Sequence, residues 1–209
     1  MITLTPVLEW WAADCPFWPI EQTDFYLTVP RKPTSLQVGT LAWALIGRSV
    51  TADDLSLTAT DAAQAIERYL TGDDDDYAPG GLRVAADDVV IEPGCCIGLD
   101  EWREWLRVIG GVAIDLGHDP DPKIEHRGPV VRVWKDVGQA RSGPDLDPGN
   151  PHIDIPRHTL PDLLGAVQQD LDGFLTALRP WAQAIRADLA DPLAAALDRR
   201  LQITEPLGI

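Results

Sequence analysis

The sequence predicts an α+β protein: a mostly antiparallel sheet packed against a long C-terminal amphipathic helix, with a Trp-rich N-terminal lobe. Three observations carry that expectation. Short β-branched runs bounded by Gly, Pro and Asp recur between residues 82 and 155. An apolar stripe at helical spacing runs from Leu160 through Leu163, Leu164, Val167, Leu171, Phe174 and Leu175 to Leu178. Four of the eight tryptophans, Trp10, Trp11, Trp18 and Trp43, fall within residues 1–50.

Element by element, residues 25–29 read as a strand ending at Pro30. Residues 36–46 read as a short helix stopped by Gly47, and Thr60 caps a second helix that Gly72 ends. Asp73, Asp74, Asp75 and Asp76 repel one another, and the Pro79-Gly80-Gly81 that follows cannot continue a helix. This loop divides the chain into an N-terminal α/β lobe, residues 1–72, and a C-terminal α+β domain, residues 81–209, unless the two form one continuous domain. Residues 82–84 and 89–91 form a hairpin around Asp87-Asp88. Residues 100–109 form a helix whose Trp102, Trp105, Leu106 and Ile109 share one face. Residues 112–116, 130–134 and 153–155 read as strands, with loops at 117–122 and 138–151. Thr159 caps the long helix. Pro180 kinks or restarts it, and a further break is expected at Asp191-Pro192.

Over 209 residues, 45% apolar and 24% charged composition is that of a globular domain. The formal net charge is −16. Such a surface repels duplex DNA and anionic membranes, so neither nucleic acid nor membrane is an expected partner. No apolar run reaches the ~18 residues a spanning helix needs. The N-terminus lacks the basic and apolar regions of a signal peptide. Cys15, Cys95 and Cys96 make an odd set, and a bridge between the vicinal pair is strained. A reducing cytoplasm is the expected compartment.

The phosphate-binding, nucleophile-elbow and HExxH motifs are missing, as is CxxC; no cofactor and no resident metal are expected. Two constellations still hold chemistry-bearing groups. Pro93-Gly94-Cys95-Cys96 places two thiols in a tight turn, as reactive groups or as small buried side chains. The His118-Asp119-Pro120-Asp121-Pro122 loop, with Glu125 and His126, offers acid/base or metal ligands, or is simply a turn capped by its own aspartates. An enzyme or metal protein would thus centre on His118, Asp119, Asp121 and His126, with Cys95 or Cys96.

The segment from Pro93 to Trp181 resembles an uncharacterised family of small acidic bacterial proteins. The shared pattern is Pro93-Gly94-Cys95-Cys96-x-Gly98-Leu99-x-x-Trp102-Arg103-x-Trp105, then Leu116-Gly117-His118-Asp119-Pro120, Val130-Val131-Arg132-Val133-Trp134 and the helix from Leu160. In size, acidity and order of elements the chain is also loosely similar to the SUKH group of bacterial immunity proteins. That second resemblance, joined to the surplus of carboxylates and the missing catalytic motifs, leads to the expected function. It is a non-catalytic protein-binding module, of immunity or antitoxin type, that takes a basic partner such as a toxin. Asp73, Asp74, Asp75 and Asp76, with Trp10 or Trp11, are the expected contacts.

Overall fold

The computed structural model describes residues 1–209 except 11–13, 23, 52–56, 73–77 and 139–148. The protein is α+β, with two antiparallel sheets and a long C-terminal helix. In chain order the elements are β1 (Thr3–Glu9), β2 (Tyr26–Thr28), α1 (Ser35–Val50), α2 (Ala62–Thr71), β3 (Gly80–Ala86), β4 (Val89–Ile91), α3 (Trp105–Ile109), β5 (Lys123–Arg127), β6 (Val130–Trp134), β7 (His152–Pro156), α4 (Leu160–Ile185) and α5 (Ala190–Leu201). One sheet has strand order β2-β1-β3-β4 and the other β5-β6-β7. Among the described residues no helix is long and apolar enough to cross a membrane.

The chain divides into two compact units. The first comprises Met1–Val7, Pro79–Gln168 and Pro206–Ile209. Its β3–β4 hairpin pairs Val84 with Ile91 and turns at Asp87, whose φ of 51° is a left-handed value that aspartate tolerates. The β5-β6-β7 meander pairs Lys123 with Trp134 and Val130 with Pro156. Alternation along β6 and β7 buries Val131, Val133, Ile153 and Ile155. Trp102, Trp105 and Leu99 are also buried. The expected helix over 100–109 is a 3-10 turn, Leu99–Glu104, followed by α3. Residues 112–116 form no strand. Val112 is exposed, and the segment instead presents the Leu116 carbonyl to the Gly94 amide at 2.7 Å.

The second unit comprises Leu8–Ala78 and Gln169–Glu205. Residues 169–205 therefore group with the N-terminal segment, not with residues 81–168 as the sequence suggested. The reason is aromatic packing. Trp18 meets Trp181 edge-on at 5.1 Å and Trp43 at 5.9 Å, and its indole donates to the Gly39 carbonyl at 2.8 Å. Helix α1 starts with a capping box, Thr34 and Gln37 each satisfying the other's amide, and runs past Gly47 to Val50. Gly47 is buried within it, and Thr51 makes the end by donating to the Gly47 carbonyl. Asp61, not Thr60, caps α2 by accepting from the Gln64 amide. Asp191 and Pro192 lie in the first turn of α5, where a proline's missing N–H costs nothing; the break falls before Ala190. Pro180 lies inside α4.

Candidate metal centre

The site is built by two turns of the first unit that press backbone to backbone. Cys95 and His118 form an isolated antiparallel bridge: the Cys95 amide donates to the His118 carbonyl at 2.6 Å, and the His118 amide donates back at 3.2 Å. The far end of the cysteine turn is held by the Gly80 amide, which donates to the Ile97 carbonyl at 3.3 Å. Two glycines make the approach possible. A Cβ on Gly117 would lie 2.5 Å from the Gly94 carbonyl carbon, and one on Gly94 would lie 2.5 Å from the Gly117 carbonyl carbon. Gly117 also sits at φ +89°. The Asp115 carboxylate accepts from the Gly117 amide at 3.0 Å.

Consecutive side chains on an extended chain point to opposite faces. At Cys96 the backbone turns left-handed, φ 68°, and that alternation is broken. The two sulfurs lie 3.2 Å apart. His118 completes the group: one ligand atom from each of Cys95, Cys96 and His118 falls within 4.8 Å of the others. A tetrahedral zinc at ordinary bond lengths sets its sulfur and nitrogen ligands about 3.6–3.8 Å apart. The sulfurs stand closer than that and the imidazole within 4.8 Å of them, so side-chain rotation of the exposed thiols and imidazole is what would set the three about an ion. The Asp119 carboxylate lies 3.2 Å from His118 Nδ1, the kind of outer contact that orients a ligating imidazole. Both cysteines are exposed, so an ion would be reached from solvent.

The remaining candidates fall elsewhere. Asp121 pairs with Lys123 at 2.7 Å. His126 lies on β5 opposite Val131, its Nδ1 3.2 Å from Arg157 Nη2. Glu125 takes the Trp134 indole at 3.1 Å. Among the described residues, Cys95, Cys96 and His118 are the one group of three with metal-ligand spacing. The third thiol, Cys15, is half-buried; burial pushes its pKa up, against backbone hydrogen bonds from Phe17 and Trp18. Trp10 is half-buried, and its amide donates to the Phe25 carbonyl at 2.6 Å. Trp11, Asp73, Asp74, Asp75 and Asp76 lie outside the described residues. In the second unit an open groove of about 500 Å³, bordered by Trp18, Pro33, Pro180 and Trp181, has no ionisable side chain in its lining.

The sequence offered every member of the cluster within one wider alternative set, His118, Asp119, Asp121 and His126 with Cys95 or Cys96, but not which of them meet, because the 22-residue separation of Cys96 and His118 shows no ligand spacing of a known kind. The one available signal was the glycine beside each ligand, Gly94 and Gly117. Compared with family models, curated proteins and solved structures, the chain matches none.

Proposed function

We propose that this protein binds one thiophilic metal ion through Cys95, Cys96 and His118. The observation that carries this reading is the convergence of two thiols and an imidazole within 4.8 Å on a backbone with no room to spread. Two sulfurs and one nitrogen suit Zn²⁺ or Cu⁺ and disfavour Mg²⁺ or Ca²⁺. Three protein ligands leave the fourth position of a tetrahedral ion open, which marks an exchanging or reacting ion in place of a closed structural one. The reading departs from the first sequence expectation, of no metal, and narrows the alternative one around His118 to Cys95, Cys96 and His118. Titrating the fully reduced protein with zinc is expected to give one equivalent bound at micromolar concentration. Cys95→Ser, Cys96→Ser and His118→Ala should each weaken binding by more than the roughly 10–100-fold that loss of an outer contact costs. Uptake by the wild type no greater than by the Cys95→Ser, Cys96→Ser double variant would refute it.

A second reading, capture of a basic cytoplasmic protein such as a toxin, is supported by charge. Arg31, Arg83, Arg107, Lys123, Arg127, Arg132, Arg179 and Arg186 each pair with a carboxylate. At Asp154 the hydrogen bonds from Arg132 hold the carboxyl below its usual range. Cations so committed leave the surplus behind the −16 net charge uncovered. Association with basic nuclease toxin domains should then slow at least about 10-fold from low to physiological salt. It should also slow when Asp73, Asp74, Asp75 and Asp76 are changed to Asn. Rates indifferent to both changes would remove this reading.

A further inference from the structure

We propose that the two thiols of the cluster are also an oxidation switch: a hydroperoxide converts Cys95 and Cys96 into an intramolecular disulfide, and the site then releases its ion. The inference rests on the metal-binding reading and adds its regulation. Sensor cysteines are accessible and stand beside a second thiol that resolves the first oxidation product. Cys95 and Cys96 meet both conditions, being exposed and 3.2 Å apart at sulfur.

The chemistry balances with hydrogen peroxide as the oxidant. One thiolate attacks a peroxide oxygen, the O–O bond breaks, and hydroxide leaves to be protonated by solvent. The product is a sulfenic acid, with the sulfur oxidised by two electrons. The second thiol attacks that sulfur, the S–O bond breaks, and water leaves as the S–S bond forms. In sum, two thiols and one peroxide give one disulfide and two waters. Sulfurs joined to each other no longer carry the charge that holds a metal, and His118 alone cannot retain it.

Geometry also makes the change reversible. Adjacent Cα atoms across a trans peptide are about 3.8 Å apart, short of the roughly 4.4 Å at which ordinary disulfides begin. The ring is strained, and strained bridges lie at oxidising potentials from which thiols recover them. The strain that keeps the pair reduced at rest thus resets it after oxidation.

The test uses the Cys15→Ser chain, so that the pair supplies the only thiols, with and without zinc. Peroxide is expected to lower the intact mass by about 2 Da and to pass bound zinc to a chelating dye. Dithiothreitol should restore both mass and zinc uptake. A lasting gain of oxygen mass, a disulfide-linked dimer, or retention of zinc in the oxidised chain would each overturn the switch. If zinc binds and the mass never falls, the switch fails and the metal reading stands. If the reduced chain takes no zinc, the metal reading fails and the switch falls with it, whatever the mass.

Discussion

Gly94→Ala is expected to abolish zinc uptake and to destabilise the protein by about 3 kcal/mol or more. The methyl would enter the backbone of Gly117, His118 and Pro120, none of which can move as a flexible side chain would. Relief requires parting the two turns. That breaks the reciprocal Cys95–His118 hydrogen bonds and the bond from the Gly94 amide to Leu116, each worth about 1 kcal/mol net and more if left buried without a partner. Separation also removes His118 from the sulfurs, so stability and binding are lost together. Gly128→Ala is the control. Gly128 has a left-handed φ of 61° but nothing within 4 Å of its added Cβ, so alanine there should cost only about 1 kcal/mol and leave binding intact. Urea unfolding and zinc titration of both variants read the difference. A Gly94→Ala protein with wild-type midpoint and affinity would show that the turns are not held as described.

Helix α4 supplies the second large effect, through two glycines whose replacement should act in opposite directions. At Gly173 the helix backs directly onto the Arg31 main chain: an added Cβ would lie 2.6 Å from the Arg31 carbonyl carbon and 2.9 Å from its Cα. The clash is with main chain and not with the end of a flexible side chain, so relief requires moving the segment itself. Gly173→Ala should therefore lower stability by about 3 kcal/mol or more. At Gly165 an added methyl meets nothing within 4 Å, and Gly165→Ala should stabilise by roughly 0.5–1 kcal/mol, the helical preference for alanine. Thermal or urea unfolding of the two variants decides it. Equal effects would mean that the close approach of α4 to Arg31 is absent.

Local pattern made much of this fold legible. The stripe from Leu160 to Leu178 has one periodicity and could be little else than an amphipathic helix, and the hairpin is marked by two short apolar runs flanking Asp87-Asp88. The failures share a cause. Residues 112–116 have strand-like composition, but their Leu116 carbonyl takes a single bond from the Gly94 amide and no ladder forms, and pairing is a property of the partner as much as of the segment. Gly47 and Pro192 are breakers by type, yet one is buried in a continuing helix and the other occupies a first turn.

The candidate site divides along the same line. Composition and motif established the acidity, the two thiols, the histidine and the glycines at their sides, since these are properties of residues in order. That Cys95, Cys96 and His118 share one point in space, while Asp121 and His126 turn to Lys123 and Arg157, was settled by folding. A left-handed residue at Cys96 and a glycine-to-glycine backbone contact bring the groups together, and both depend on chain conformation over distances that no spacing rule along the sequence records.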